Sequence, residues 1–492
     1  MNGSGKSDRP VVPRKPPNKA AGTPTAAEGV EGRGLAKGNS RQHSRSRTQS
    51  RGILHWALER IRQVARRRKK EQFTALWHHV CAPNRLQESY YALKHTSSPG
   101  VDGVTWYEYG ARLEANLTDL SAQLRRGAYR PLPVERAYIP KGDGRQRPIG
   151  KPVLEDKVVQ RAWSEVVGAI YEADFLGFSY GSRPGRGQHN ALDALTVGLE
   201  RKKVNWVLDA DIRGFYDAID HEWMIRFLQH RIADRRVLRQ ARQWLKAGVL
   251  ENGKWKVPEA GTPQGGNVSS LLANIYLHYS LDLWAHRWRK RHARGDVIIV
   301  RYVDDFVVGF QYRDDAERFE YELRERLKRF RLELHDEKTR LIEFGRFAAQ
   351  NRKRRGERKP ETFNFLGFTH ICGKTRNGKF AVLRITRRDR LTAKLKSIKV
   401  ELKKRRHQKA VAQKQWIASV LRGHFQYFGV PRNSRALQVF YRQVLWHWFR
   451  ALRRRSQKHK LRWKWFCEKA HQCLPQPHIV HPYPNQRLSV TT

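Results

Sequence analysis

Residues 297–310 of this 492-residue chain read VIIVRYVDDFVVGF, an apolar run that the carboxylates of Asp304 and Asp305 interrupt. Its β-branched and aromatic residues predict two strands, 297–300 and 306–310, on either side of a turn. Ionised carboxylates inside such a run are costly to desolvate unless something compensates their charge. A hairpin turn that merely contains two aspartates is one explanation, since Asp is common in turns. It does not explain why the pattern occurs twice.

The second occurrence is LDADI at residues 208–212, at the end of a β-like run that begins at Trp206. Two strands of one antiparallel sheet would bring Asp211 and Asp304 together, although they are far apart in the chain. Adjacent carboxylates repel, and one pKa rises unless a cation lies between them. Hard oxygen ligands suit Mg²⁺, which also accepts substrate phosphates. A pair of such ions holds the attacking and leaving oxygens of an in-line phosphoryl displacement.

The charge balance indicates the substrate of that chemistry. The chain carries 98 Lys and Arg against 46 Asp and Glu, a formal net charge of +52, and the default partner of such an excess is nucleic acid. An anionic membrane surface is the alternative. No apolar stretch reaches the roughly 18 residues of a membrane span, and no apolar run follows a charged N-terminus, so we expect neither a transmembrane nor a secreted protein. The carboxylates and the charge together predict nucleotidyl transfer on a nucleic acid.

The pattern of the chain changes several times. Residues 1–52 are rich in Gly, Pro, Ser and Arg and predict a disordered basic tail, with an organelle transit peptide as the alternative. An amphipathic basic helix follows from Ile53 to Lys70, and short β-like runs on either side of residues 142–144 predict a hairpin. Residues 363–368 predict a further strand, and from Arg388 the chain is helical and very basic. The four cysteines fit neither a zinc site nor a disulfide framework, which favours a reducing compartment.

Several motifs resemble those of a known family. The YVDD at residues 302–305 resembles the YxDD box of reverse transcriptases, and other segments match the group II intron-encoded reverse transcriptases in the order of that family. These segments are PGVDGVT at 99–105, FSYGSRPG at 178–185, DIRGFYD at 211–217 with IDH at 219–221, GTPQGG at 261–266 with LLANI at 271–275, LHDEK at 334–338, FLGF at 365–368, LRG at 421–423 with YF at 427–428, and LRRRS at 452–456. The match extends from about residue 70 to about residue 484.

The resemblance implies an α+β fold of the right-hand polymerase type. It divides the chain into the tail (1–52), an N-terminal extension with fingers (53–205), a palm with an antiparallel sheet and the YVDD site (206–375), and an α-helical thumb or maturase domain with a short C-terminal tail (376–492). The aromatic and basic residues of the C-terminal helices suit folded RNA. Their alternative role is an ordinary helical core with a solvated basic face.

The implied function is that of an RNA-directed DNA polymerase that also binds group II intron RNA and promotes splicing and retrotransposition. Its implied partners are intron RNA or another structured RNA template, a DNA primer or target, and dNTPs, without a membrane. The implied location is the bacterial cytoplasm, in association with the nucleoid, and organellar import is the alternative. The oligomeric state is left open.

By the same resemblance, two Mg²⁺ ions, for which Mn²⁺ is a substitute, are held by Asp211, Ile212, Asp304 and Asp305. Asp305 would support the site electrostatically, and Asp209, on the same strand face as Asp211, is the alternative ligand. Lys338 matches the position of a general acid that protonates the pyrophosphate leaving group. An uninvolved surface lysine is the other interpretation.

The nucleotide-binding residues implied by the resemblance are Lys141, Arg147, Phe215, Tyr216 and Gln264. Tyr216 would pack under the incoming sugar and exclude a 2′-hydroxyl, or else it belongs to the core. Lys141 and Arg147 flank the hairpin turn, where cations hold the triphosphate. They would serve the template phosphates equally well. Gln264 would border the nucleotide pocket, beside glycines that let the backbone approach closely.

Three positions depart from the usual pattern of the family. Val303 replaces the usual Ala of the box, Ser270 the usual Pro, and Lys151 the usual Ile. Two alternatives therefore remain: a splicing maturase without polymerase activity, and a domesticated reverse transcriptase in defence or DNA repair. We also expect no Cys-rich HNH endonuclease domain after residue 484, so that any mobility would use existing nicks or single-stranded DNA at replication forks.

Overall fold

A computed structural model describes residues 55–140, 146–251, 253–256, 260–262, 266, 268–455 and 461–487. The predicted basic tail, the turn at 142–144, Lys141 and Gln264 lie outside the described residues. What the sequence predicts for them stays a prediction.

The N-terminal part packs helices around a buried helix, α6. Its elements are α1 (55–67), α2 (Trp77–Val80), α3 (Pro83–Tyr91), α4 (Trp106–Gly110), α5 (Leu113–Arg126), β1 (Val134–Pro140), β2 (Gln146–Lys151), α6 (Leu154–Tyr171) and α7 (Gln188–Arg201). Most residues of α6 are buried, among them Trp163 and Tyr171, because neighbouring elements cover it on several sides. β1 and β2 pair antiparallel, with Tyr138 opposite Pro148, which confirms the predicted hairpin.

The central part carries the sheet on which the predicted aspartates lie. Its elements are β3 (Trp206–Ala210), α8 (Phe215–Ala218), α9 (His221–Gln229), α10 (Arg235–Lys246), β4 (Val249–Glu251), β5 (Lys254–Lys256), α11 (Ser269–Leu277), a π-helical turn (His278–Asp282), α12 (Leu283–Arg291), β6 (Val297–Tyr302), β7 (Asp305–Phe310), α13 (Arg313–Lys328) and β8 (Arg340–Glu343). β6, β7, β3 and β8 form an antiparallel sheet in that order. β4 and β5 instead extend the β1–β2 sheet, because β4 pairs parallel with β1.

The C-terminal part begins with a small sheet and continues as helices. Its elements are α14 (Ala348–Arg354), β9 (Phe363–Phe365), β10 (Phe368–Lys374), β11 (Phe380–Thr386), α15 (Arg388–Lys404), α16 (Ala410–Phe428), α17 (Ser434–Arg453), α18 (Trp463–Cys473) and α19 (Pro484–Arg487). The helices bury their own apolar cluster, which includes Ile398 and Leu402 of α15. Among the described residues, no helix is both long and apolar enough to span a membrane.

One strand predicted from the sequence differs from the observed structure. The predicted strand at 363–368 is two strands, β9 and β10, because Leu366 and Gly367 both adopt a positive φ (46° and 82°) and reverse the chain. The predicted division at residue 376 falls inside the β10–β11 hairpin. The helical region therefore begins at Arg388, where the sequence indicated the change of pattern.

Candidate active site

The predicted aspartates meet at one end of the central sheet. β3 pairs antiparallel with β7, and Ala210 lies opposite Phe306. Asp211, which follows β3, is therefore next to the β6–β7 turn that carries Asp304. Asp211 and Asp304 are partly buried, whereas the Asp305 side chain is exposed. The sequence prediction that antiparallel strands bring Asp211 and Asp304 together is confirmed.

Desolvation and the charges of neighbouring carboxylates both raise the pKa values of Asp304 and Asp305. Desolvation raises the pKa of Asp304, and the neighbouring Asp211 raises it further. The Asp305 side chain is exposed to solvent, yet it has several acidic neighbours. Desolvation, followed by the charges of Asp304, Asp211 and Asp209, raises its pKa to about 7. A cation among these groups would keep them ionised.

A lysine already provides part of that compensation. Lys338 forms an ion pair with the Asp211 carboxylate. The LHDEK segment is held there because His335 N donates to the Asp211 carbonyl at 2.8 Å and Ile212 forms an antiparallel bridge with Leu334. Lys338 is therefore not isolated on the surface, and its ammonium neutralises one of the predicted metal ligands.

Asp209 has a different partner. Its carboxylate lies 3.7 Å from the guanidinium of Arg340, which is opposite it on β8. Desolvation raises the pKa of Asp209 to about 6, against the opposing effect of Arg340 and with a further rise from Asp211. Asp209 thus lies near the other aspartates, but it forms its ion pair with Arg340 on β8 and not with a residue of the β6–β7 turn.

The donors suit a hard divalent cation that keeps part of its coordination for substrate. In the described part of the chain, no three His, Cys, Asp or Glu side chains converge to hold a metal ion. Mg²⁺ commonly takes only one or two protein carboxylates and completes its octahedron with water and phosphate oxygens. Asp211 and Asp304 match that need. The Ile212 side chain is a hydrocarbon and is buried, so the backbone carbonyl is the only oxygen that this residue offers to a metal ion.

Two of the predicted nucleotide-binding residues, Phe215 and Tyr216, lie shortly after Asp211 in the chain. Gly214 has a φ of +52° and leads into α8, where Phe215 is buried and Tyr216 is partly buried. Desolvation and the charge of Asp304 raise the pKa of Tyr216 to about 12, and Arg147 acts in the opposite direction. Arg147 likewise lowers the pKa of Asp304. The Arg147 side chain is exposed, yet its charge acts on both Tyr216 and the turn that carries Asp304.

The first two residues of the GTPQGG segment form backbone hydrogen bonds with α8 and the residue that follows it. Thr262 N donates to the Tyr216 carbonyl at 2.8 Å, and Gly261 N donates to the Ile219 carbonyl at 2.7 Å. Gly261 has a φ of +91°, and a Cβ there would lie 3.0 Å from backbone atoms of Tyr216 and Asp217. Gly261 therefore allows two backbone segments to pack closely together here.

A buried arginine network behind the YVDD turn was not predicted from the sequence. The Arg301 guanidinium is fully buried and binds Asp282 through two hydrogen bonds of 2.6 and 2.7 Å. It also donates to Ser179 Oγ at 2.7 Å, to Asn274 Oδ1 at 3.0 Å and to the Val303 carbonyl at 2.8 Å. The available signal was a charged residue inside the apolar run 297–303, which only a paired environment would tolerate.

The FSYGSRPG segment also forms hydrogen bonds with residues of this network. Tyr180 N donates to the Arg301 carbonyl at 2.9 Å, and Asn274 Nδ2 donates to the Gly181 carbonyl at 2.8 Å. A Cβ on Gly181 would lie 2.5 Å from Val303 Cγ2 and 2.6 Å from Val303 N. This segment thus supports the turn that carries Asp304.

Comparison with known proteins defines the class of this site. Residues 139–370 match the family model of reverse transcriptases, described as RNA-dependent DNA polymerases. This part of the chain is therefore a reverse transcriptase domain, and it contains every described site residue named above.

The most similar proteins found indicate which kind of reverse transcriptase the chain resembles. Over 222 residues the chain is 35% identical to the group II intron-encoded protein LtrA of Lactococcus lactis subsp. cremoris, an alignment that covers 45% of this chain and 37% of LtrA. It is 37% identical over 207 residues to protein YkfC of Escherichia coli (strain K12), covering 41% of this chain and 54% of YkfC. An uncharacterized 91 kDa protein in the cob intron of Schizosaccharomyces pombe is 41% identical over 148 residues, which is 30% of this chain and 18% of that protein. The chain thus spans about half or less of the length of these relatives. The expected similarity to group II intron-encoded reverse transcriptases is confirmed.

Proposed function

We propose that this protein is an RNA-directed DNA polymerase that also binds group II intron RNA and assists splicing and retrotransposition. The observation that carries the proposal is the position of Asp211, just after β3, beside the β6–β7 turn that carries Asp304, where antiparallel strands of a reverse transcriptase domain end together. In this interpretation the β6-β7-β3-β8 sheet belongs to the palm, the β1–β2 hairpin belongs to the fingers, and α15 to α18 form the thumb or maturase domain.

We propose that Asp211, Asp304 and the Ile212 carbonyl hold divalent cations, Mg²⁺ with Mn²⁺ as a substitute. Bound there, such ions polarise the attacking hydroxyl and neutralise charge on the triphosphate. Asp305 adds negative potential beside the ligands. We propose that Lys338 donates a proton toward the departing pyrophosphate, and its ion pair with Asp211 supports this role.

The nucleotide would lie against Tyr216, with Phe215 packed beneath it. The two rings meet edge to face, with centroids 5.4 Å apart, so the buried Phe215 restricts the orientation of Tyr216. Arg147 is proposed to bind the triphosphate because its charge already acts on Asp304 and Tyr216. Lys141 and Gln264 complete the proposed pocket on the basis of sequence alone.

The proposed partners are intron RNA or another structured RNA, a DNA primer or target, and dNTPs. Relatives named as encoded by a group II intron support this choice, as does the net charge of +52. A bacterial, nucleoid-associated location remains part of the proposal.

Primer extension tests the function. Wild-type protein, Mg²⁺ and a DNA primer on an RNA template should yield cDNA, and Asp304→Asn should reduce the rate at least about a thousandfold, since several kcal/mol of electrostatic stabilisation are lost. Asp314→Asn is the matched control, because Asp314 is an exposed carboxylate that pairs with Arg294 at 2.9 Å on the surface. Equal cDNA from wild type and Asp304→Asn would contradict the polymerase proposal.

A further inference from the structure

We propose that a groove between α10 and the β4–β5 hairpin is a second RNA-binding surface, which holds a single-stranded segment with phosphates on α10 and one base on Trp255. The proposal rests on the proposed function in one respect, that RNA is the partner. The surface lies outside the metal and nucleotide residues described above.

The outward face of α10 consists of cations. Its exposed residues are Arg235, Arg236, Arg239, Arg242 and Lys246. The helix contains no acidic residue, while its inward face buries apolar residues such as Val237 and Trp244 against the protein. Of the five cations, Arg236 lies 3.6 Å from the capping Asp234. Like charges aligned on one face repel one another, and a polyanion would relieve that repulsion.

The groove beside this face is basic and has an aromatic wall. It is shallow, with a volume of about 470 Å³, and its lining includes Arg130, Arg239, Arg242, Lys246 and Trp255. Two prolines and short polar or apolar groups complete it, and no carboxylate occurs among the described residues that line it. If these cations only interacted with solvent, neither the groove nor the aromatic side chain beside it would be required.

Trp255 is held open to solvent. Its side chain is 61% exposed, and its indole Nε1 donates to the Ala247 carbonyl at 3.4 Å. The ring lies over Gly248, which has a φ of +84° and where a Cβ would approach the indole nitrogen to 2.4 Å. Gly248 therefore allows the indole to stay against the backbone, with one face of the ring available. The flanking Lys254 and Lys256 are also exposed.

An exposed aromatic ring beside a row of cations favours a single strand of RNA. Phosphates bind the cations, and an unstacked base stacks on the ring, an arrangement typical of single-stranded nucleic acid sites. Folded RNA offers such unstacked bases in loops and bulges. Duplex DNA keeps its bases stacked and would use only the cations.

Crosslinking and binding experiments on the full chain test this surface. The polymerase cleft is first filled with a DNA-primed RNA template, and a fluorescein-labelled single-stranded oligouridine containing 4-thiouridine is then added. We expect photocrosslinks on the peptide that carries Trp255. Trp255→Ala should weaken oligouridine binding about tenfold, and Trp255→Phe should retain most of it, since stacking accounts for the effect.

The cations are tested by salt dependence. Arg242→Gln with Lys246→Gln should lower the log–log salt slope of oligouridine binding by about 1.4, which corresponds to two lost phosphate contacts on a single strand. Lys353→Gln with Arg354→Gln removes the same charge from the exposed side of α14 and should leave the slope nearer to wild type.

Three outcomes would overturn the proposal: absence of the crosslink, groove variants that behave like the α14 control, or duplex DNA that competes better than oligouridine. Primer extension by the wild-type protein is measured in parallel. If the wild type extends primers and the groove variants bind oligouridine as the wild type does, only the groove proposal is refuted. If the wild type does not extend primers, the proposed function is refuted.

Discussion

Arg301 donates a hydrogen bond of 2.8 Å to the carbonyl of Val303, the residue that precedes Asp304 and has a φ of +58°. A β-branched residue in this region is strained by about 1–3 kcal/mol and persists only where its surroundings determine the conformation. The surroundings here are the buried Arg301 guanidinium and the close contact of Val303 with Gly181. The conformation of the turn that presents Asp304 therefore depends on the buried guanidinium of Arg301.

Arg301→Lys should lower kcat for primer extension about 10- to 100-fold with little change in KM. Lysine keeps the charge opposite Asp282 but loses the planar fork that also reaches Val303 and Ser179, so Asp304 is displaced rather than removed. Steady-state kinetics measures the effect. Arg318→Lys, in an exposed pair with Glu322 at 2.7 Å, is the control and should retain full activity. A proportionate rise in KM with unchanged kcat would exclude a positioning role.

Gly181→Ala should destabilise the protein and reduce polymerisation, because its new Cβ would lie 2.5 Å from Val303 Cγ2. Adding Val303→Ala removes the Cγ2 clash but leaves the 2.6 Å contact with Val303 N, so the double variant should recover only in part. Urea unfolding and primer extension report the two effects. The control is Gly423→Ala on α16, where a Cβ meets nothing within 4 Å and stability should rise by about 0.5–1 kcal/mol. Full recovery in the double variant would show that the backbone contact is unimportant.

Tyr216→Val should relax discrimination against ribonucleotides, since it removes the ring proposed to meet a 2′-hydroxyl. Single-nucleotide incorporation with matched dNTP and rNTP gives the ratio of kcat/KM for the two sugars. Tyr216→Phe keeps the ring and should keep the ratio. An unchanged ratio in Tyr216→Val would assign Tyr216 to core packing beside Phe215.

Buried histidines should make the fold sensitive to acid. His370 stacks on Phe363 at 4.7 Å, and desolvation, with a further effect of the Arg384 charge, lowers its pKa from 6.5 to about 3. Between these values the unfolded chain binds a proton that the folded chain does not. The stability that His370 contributes is therefore complete above about pH 6.5 and is lost as the pH falls toward about 3, by up to about 1.4 kcal/mol per pH unit.

Urea unfolding of His370→Phe at a series of pH values measures this contribution. The pH dependence of the free energy of unfolding should be shallower than in wild type by about one proton in the acid range. His424→Phe should act in the same direction, because desolvation lowers the pKa of His424 to about 3 as well. Parallel wild-type and variant profiles would mean that neither histidine is kept neutral by folding.

The sequence alone determined the β1–β2 and β6–β7 hairpins, the reverse transcriptase motifs and the meeting of Asp211 with Asp304. These follow from local signals, since alternating or continuous apolar runs define strands and the pairing of β3 with β7 brings their ends together. The sequence also marked Arg301 as a charge in an apolar run, but not its partners. Ser179 is 122 positions away and Asp282 is 19 positions away, on elements that nothing local relates to β6.

Only the tertiary structure decided which charges compensate one another. Lys338 pairs with Asp211 across 127 positions, because the LHDEK segment is bridged to the strand end that carries the aspartate. The split of residues 363–368 into two strands likewise required the backbone, since aromatic residues favour a strand on both sides of a turn at Leu366 and Gly367. Composition indicates how much charge a chain carries. Burial and long-range pairing then decide whether a given charge is neutralised inside the protein or remains on its surface to meet RNA.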